Sequence, residues 1–428
     1  MAVDFDKLPP EKPEPDDPPS RVVWAIVFCV IVVAGIFTVL LLWPEGEPTQ
    51  TPWFWICITV YPVGVATFVV LRRYSVYEGR RLDVIEWNKA RTKYMGDVFE
   101  LASRPLAVIA AAYRFSSDSK ENEFGKLLTG SVKLEPRIAP KPDMPPVTAR
   151  WFDEPRTDKD GKPFKNDGER HQHVLESVFG ALITDIAEAV RALPLELKLT
   201  VGLVLPEKVN TSEASNAWDK QWRTSNLRLV KANVLLEPPD LMYLDTWLDR
   251  SNQGSDREAR LLVFVQLNPL LQALPTDGSA EVAVAILAAP DDVCSRFKLA
   301  PIALAHRPND TYDCSLDVAL SRALRWGGLE ASGISRIWQG GLEATVGNEA
   351  TAALVKAGIA AKPASLDYMV GHAGAAAAWF GVACAAKAAD HDGSAQLLIT
   401  GGMRGPCFSV LKSVNPNEAG ERLFQRAA

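Results

Sequence analysis

The sequence predicts an α/β domain carried behind two N-terminal transmembrane helices. Three observations say so: charge-free runs at 22–43 and 53–71, strict alternation of Leu197, Leu199, Val201, Leu203 and Leu205, and helical apolar periodicity interleaved with further strand-like runs toward the C-terminus. Over 428 residues the chain is 47% hydrophobic and 23% charged with a formal net charge of −6, an average that hides an apolar start and a more polar remainder. That remainder is long enough to bury a large core. With 46 basic against 52 acidic residues and no long basic block, composition gives no support for nucleic-acid binding. The six cysteines, at 29, 57, 294, 314, 384 and 407, form no CxxC pair and read as free thiols in a reducing compartment.

Residues 1–21 form an acidic, Pro-rich tail (Asp4, Asp6, Glu11, Glu14, Asp16, Asp17), and no small-residue cleavage site follows the first apolar run, so a cleaved signal peptide is not expected. The transmembrane hairpin is assigned to 22–71. Val22–Trp43 and Trp53–Leu71 are each long enough, at about 1.5 Å per residue, to cross roughly 30 Å of hydrocarbon. Trp24, Trp43, Trp53 and Trp55 mark segment ends as an interfacial aromatic belt does. Buried core helices are the competing reading, but core helices rarely dispense with every charge for so long. Arg72, Arg73, Arg80 and Arg81 crowd the exit of the second run, whereas the Pro44–Pro52 loop has Glu45 and Glu47 and no Lys or Arg. The positive-inside rule then puts both termini and the soluble domain in the cytoplasm. Pro62 and Gly64 predict a kink in the second helix, and the absence of intramembrane ionisable residues favours anchoring over transport.

A connector, 72–104, leads to a soluble domain assigned to 105–415, with 416–428 as a C-terminal tail. Leu106–Tyr113 reads as a buried strand, and Asn122–Leu128 as a short helix ending at Gly130. Six prolines between 136 and 155 and a run of charge and glycine up to 170 read as an exposed excursion. Its Asp158-Lys-Asp160-Gly161 stretch is half of a calcium-loop pattern without the third ligand or the distal Glu, and reads better as a solvated turn. Leu175, Val178, Phe179, Leu182, Ile183, Ile186, Val190 and Leu193 make an amphipathic helix, 174–193, ahead of strand 197–205. Further strands are expected at 261–267, 282–289, 396–400 and 407–411, and helices at about 315–326, 347–357 and 373–389. The last is Ala-rich and interrupted by Lys387, which suits a buried layer better than a third span. His171 and His173 would share a face on a strand but diverge on a helix, and nothing nearby completes a metal site, so no metal is assigned. Trp218, Trp222, Trp247 and Trp338 read either as interface anchors or as core.

Several segments fall in the order found in condensing enzymes of the thiolase and β-ketoacyl synthase superfamily. Pro105-Leu-Ala-Val-Ile-Ala-Ala-Ala-Tyr113 and Glu123-Phe-Gly-Lys-Leu-Leu-Thr-Gly130 resemble a synthase's first strand and the helix after it, and Ser279–Ala289 resembles the strand opening the second half. Gly371-His-Ala-Gly-Ala-Ala-Ala377 resembles the Gly-His helix start, and Leu398-Ile-Thr-Gly-Gly-Met-Arg-Gly405 with Phe408-Ser-Val-Leu-Lys412 the Gly-rich turn before the last strand. The resemblance implies a thiolase-like layered α/β domain whose chemistry needs a Cys activated at a helix N-terminus and His partners that stabilise an oxyanion. The stretch between strands 197–205 and 261–267, where that nucleophile belongs, has no Cys, and Ile337-Trp-Gln-Gly-Gly341 stands without a His where the first His motif belongs. The Gly-His-Ala-Gly spacing is also one residue short of the family's. His372, Cys407, Gly401 and Gly402 are therefore the candidates for a vestigial pocket, and no catalytic residue and no cofactor is assigned.

The whole chain resembles the membrane-anchored adaptor family of bacterial type VI secretion that loads lipase effectors, through the double apolar start, Leu101-Ala-Ser-Arg-Pro-Leu106, the Pro-rich excursion and the Ala-rich 371–389 block. The resemblance implies a non-catalytic protein of the bacterial inner membrane whose partners are a lipase effector and a secretion spike protein. The thiolase-like fold implies a possible homodimer paired through the central sheet. The alternative function is a membrane-associated acyl-transfer enzyme with Cys407 or Cys384 as nucleophile and His372 as its partner.

Overall fold

Two units follow one another in the computed structural model, which describes residues 8–13, 18–138, 145–152, 162–206, 209–254 and 257–414. The first ends at Glu100 and the larger begins at Leu101. Asp4, Asp6, Glu14, Asp16 and Asp17 of the acidic tail, the Asp158–Gly161 motif and the tail 416–428 lie outside the described residues.

In the first unit, α1 (Arg21–Leu42) and α2 (Pro52–Ala102) are both long and apolar enough to cross a membrane. No side chain of α1 is buried. The connector expected at 72–104 is not a separate element up to Ala102: α2 runs through the second apolar run and beyond it, since Leu82–Phe99 contains no proline to stop it. Pro62 leaves its mark one turn earlier. Ile56–Val60 is a π-helical turn in which the Tyr61 N–H bonds to Ile56 O, so the ladder is reset just ahead of the residue that has no N–H to give. The two helices meet where Gly35 leaves room for Pro62; a Cβ at Gly35 would lie 2.7 Å from the Pro62 Cβ. Trp43 and Phe54 pack edge to face at 4.8 Å beside the turn between them.

The larger unit repeats one topology. Its first half runs β1 (Leu106–Arg114), α3 (Phe124–Leu128), α4 (Asp167–Ala192), β2 (Leu199–Val204), α5 (Thr211–Thr224), β3 (Ala232–Val234), α6 (Tyr243–Asn252), β4 (Ala259–Gln266) and β5 (Val282–Pro290). After α7 (Asp291–Phe297), the second runs β6 (Ala303–Ala305), β7 (Asn309–Asp310), α8 (Leu316–Trp326), β8 (Ile334–Gly340), α9 (Ala344–Lys356), β9 (Pro363–Ser365), α10 (Leu366–Met369), α11 (Ala377–Asp392), β10 (Ala395–Gly402) and β11 (Gly405–Lys412). The strand order is β3-β2-β4-β5-β1-β6-β11-β10-β8-β9, with β7 beside β11. In the first half β3, β2 and β4 are parallel, followed by antiparallel β5 and β1. In the second, β9, β8 and β10 are parallel, followed by antiparallel β11 and β6. Pairing of β1 with β6 joins the halves. Ser279–Ala289 therefore contributes β5, the closing strand of the first half, and the second half opens at β6.

Side-chain alternation along the strands sorts the core into layers. Val108, Phe264, Val284, Trp338, Leu398 and Cys407 face a shared core containing α6 and α11. The opposite face of the first half packs on α4 and α5, and that of the second on α8 and α9. The result is the expected thiolase-like layering, with α11 buried inside it. Trp218, Trp222, Trp247 and Trp338 are each no more than 1% exposed, so the interface-anchor reading of these four is wrong and the core reading is right.

Helix α4 starts at Asp167 rather than Val174, because polar groups build its first turn. Asn166 caps Glu169 N–H at 2.9 Å, and Asp167 Oδ1 accepts the amides of Leu270 and Leu271 at 2.7 and 2.8 Å. His171 and His173 therefore sit inside a helix and diverge: His171 Nε2 meets Asn268 O at 3.0 Å, while His173 faces Phe164 at 5.5 Å. Among the described residues, no three His, Cys, Asp or Glu side chains converge as a metal site. The excursion is not wholly exposed either. Val147, Ala149 and Trp151 are buried in a small cluster with Leu270, because Arg137 bridges to Val147 and Arg150 to Ala280.

Candidate functional site

The Gly-rich ends of β8 and β10 meet above the inner helices. Gly341 has φ +70°, and Gly401 lies so close to Gly341 O that a side chain at 401 would collide with it. Two small residues are needed here because backbone packs on backbone. Asp367, at the start of α10, accepts Gly341 N–H at 2.8 Å and Leu342 N–H at 3.4 Å through Oδ2, and its Oδ1 lies 3.6 Å from His372 Nδ1. His372 itself is held by its backbone, its N–H donating to Gly278 O at 2.7 Å and its carbonyl accepting Ala280 N–H at 2.9 Å. The Asp367 carboxylate beside it raises the His372 pKa, with burial opposing. The imidazole is half exposed.

The other candidates converge on the N-terminus of α6. Gly402 approaches Asp240, whose Oδ1 accepts Met242 N–H at 3.0 Å. Cys407, in β11 opposite Thr400, places its Sγ 3.6 Å from Met242 Sδ. Burial pushes this thiol well above the ordinary range, and Asp310, Asp240 and Asp245 push it further. Cys384, inside α11, is raised by burial as well. A thiol in either setting stays protonated and shielded at neutral pH, the opposite of an activated nucleophile. Trp379 of α11 ties that helix to the loop before α6 through Nε1 to Pro239 O at 2.8 Å.

The structure thus strings the four sequence candidates along one seam: His372 to Asp367 to Gly341 to Gly401, then Gly402 to Asp240 to Met242 to Cys407. It does not pair His372 with Cys407, whose sulfur neighbour is Met242. Asp367, Asp240 and Met242 are the residues that sequence reasoning missed. Their signal is the internal repeat: α6 and α11 occupy equivalent places in the two halves, so the loop before Tyr243 is the counterpart of the Gly371–Ala376 turn. Exposed apolar side chains adjoin the same loops in sequence: Tyr368 (80%) next to Asp367, and Met403 (85%) next to Gly402.

The fold is that of ketosynthases. The ishigamide ketosynthase/chain length factor superposes with a TM-score of 0.50 at 15% identity, covering 73% of this chain and 100% of that one. The ketosynthase from module 6 of the bacillaene synthase from Bacillus subtilis 168 gives 0.50 at 11% identity, covering 73% of this chain and 70% of that one. No protein-family model matches the sequence, and no curated protein matches it. The larger unit is therefore a condensing-enzyme-like domain in its architecture, and the likeness at these identities is one of fold.

Proposed function

We propose that this protein is a non-catalytic adaptor, tethered to the bacterial inner membrane by α1 and α2, that binds a lipase effector and helps load it onto the type VI secretion spike. The observation that carries the non-catalytic part is the N-terminus of α6, where Asp240 and Met242 stand and the nearby Cys407 thiol is buried against the Met242 sulfur. A condensing enzyme needs a thiolate aimed into a cleft at such a helix end, where the dipole and free N–H groups stabilise it. An acidic side chain at the same place works against the anion. The charge-free runs 22–43 and 53–71, and the arginines that follow the second run within α2, support a tether with both termini and the larger unit in the cytoplasm. Tethering raises the local concentration of the domain at a membrane-embedded machine without any added contact. Tyr368 and Met403 support the seam's rim as a docking face, since exposed aromatic and Met side chains are frequent anchors.

The test is co-purification of the full chain, in detergent, from its native cells. A lipase and a spike protein are expected to come with it, to be retained by His372→Ala and to be lost with the double change Tyr368→Glu, Met403→Glu. Incubation with a labelled acyl thioester separates the acyl-transfer alternative. A covalent acyl adduct on Cys407 or Cys384 sinks the non-catalytic reading.

A further inference from the structure

The proline-rich start of the chain has no part in the ketosynthase-like unit, yet it is held in place. Pro9, Pro10 and Pro13 each fix φ near −65°, and Pro13 forces Lys12 toward an extended backbone. A segment so constrained makes no hydrogen bonds of its own and offers bare carbonyls to whatever can read them. Side chains of α2 beyond its apolar run do so. Asn88 accepts Lys12 N–H through Oδ1 at 3.0 Å and donates from Nδ2 to Lys12 O at 2.9 Å. Arg91 Nε donates to Pro9 O at 2.6 Å and Trp87 Nε1 to Pro10 O at 3.4 Å. Lys12 Nζ lies 4.1 Å from the centre of the Trp87 ring, and Tyr74 OH, on the same helix, donates to Pro19 O at 3.0 Å.

Trp87, Asn88 and Arg91 share a helix face by their spacing, so this is one continuous reader. It addresses main chain almost exclusively. One carboxamide bonding both backbone groups of a single residue requires that residue to be extended, which is what a following proline enforces. The indole and guanidinium then take carbonyls that no N–H of the segment competes for. An accidental surface contact has no reason to satisfy three of four successive residues, Pro9, Pro10 and Lys12, of a proline-rich strand in this way.

We infer that the Trp87–Arg91 face of α2 is a binding site for extended proline-rich peptide, and that its resident occupant is the chain's own Leu8–Pro13. Because that occupant is tethered, its effective concentration is in the millimolar range, so it holds a weak site closed against a free peptide of the same class. A proline-rich segment of another protein is the class of ligand that displaces it.

Two measurements on the full chain in detergent micelles test this. Amide exchange at Lys12 is expected to be at least about tenfold slower than in the free peptide and to return to the free rate in Asn88→Ala. A fluorescent peptide of the sequence Leu8–Pro13 is expected to bind a chain lacking residues 2–13 at least about tenfold more tightly than the full chain. The same peptide with its prolines replaced by alanine keeps Glu11 and Lys12 and is expected not to bind. Unprotected Lys12 in the full chain, no binding to the shortened chain, or equal binding of the alanine peptide each overturns the inference. Far-ultraviolet circular dichroism of Asn88→Ala, expected to match the parent, separates loss of the site from loss of the helix.

Discussion

Helices α1 and α11 are both apolar and neither carries a one-sided stripe, yet they meet opposite surroundings. α1 has no buried residue and is built mostly from Val, Ile, Leu, Phe and Trp. In α11, Ala377–Ala386, Ala388 and Ala389 are all buried, and most of them are alanine. A helix enclosed between two sheet faces needs small side chains so that the sheets can approach it. Gly381 illustrates the limit, since a Cβ there would come within 2.6 Å of Leu398. A helix proposed to meet hydrocarbon gains from every added methylene, at about 0.8 kcal/mol each. Side-chain size, more than hydropathy, separates the two kinds of apolar helix.

The largest expected effect comes from placing the same charge in each. Ala385→Asp puts a carboxylate where nothing pairs with it, and a loss of at least about 4 kcal/mol is expected, enough to remove the cooperative melt of the larger unit. Val30→Asp, at a position 61% exposed, is expected to leave that melt unchanged and to weaken membrane insertion by about 3 kcal/mol. Thermal melts of the full chain, with carbonate extraction of membranes, check both. Equal melting losses from the two substitutions would erase the distinction.

Next in size is a charge that the core already holds. Glu281 is fully buried, pairs with Arg170 at 2.8 Å and also accepts Phe152 N–H at 2.9 Å and Asn268 N–H at 2.8 Å. Glu281→Gln leaves the Arg170 guanidinium without its counter-charge and is expected to cost about 3–5 kcal/mol in denaturant unfolding. Arg72→Gln with Arg73→Gln is expected to change that stability by less than about 0.5 kcal/mol, because both side chains are exposed.

The fold was legible where periodicity was long. The alternation from Leu197 and the stripe of α4 announced β2 and its preceding helix, and the Ala-rich block announced a buried layer. Short elements escaped. β3, β6, β7 and β9 span too few residues to show a period, and α6 is recognisable only once the halves are seen to repeat. The chain's likeness to condensing enzymes was readable from Gly371–Ala377 and the Gly401-Gly402 turn, since glycine is demanded wherever backbone meets backbone. The seam was only half readable. Asp367 and Asp240 act through backbone amides of loops distant in sequence, and no local pattern reports that. Trp218, Trp222, Trp247 and Trp338 gave no sequence signal to choose between core and surface; packing chose.

The smallest expected effect separates two histidines by the same contrast of surroundings. Asp367 raises the His372 pKa, so the stability this pair contributes is full below the unfolded value of about 6.5 and is lost as pH rises through the folded value. Burial lowers that of His171, so its contribution has the opposite sense: present above about 6.5 and lost as pH falls through its folded value. Because the His372 ring is half exposed, solvent screening holds its share below about 0.5 kcal/mol. Urea unfolding at pH 5.5 and 8.0 is expected to show His372→Gln losing more stability, relative to the parent, at the lower pH. A larger loss at pH 8.0 would mean that His372 and Asp367 are not partners, and the seam would then lose the link that joins its imidazole end to the Gly341–Gly401 backbone contact.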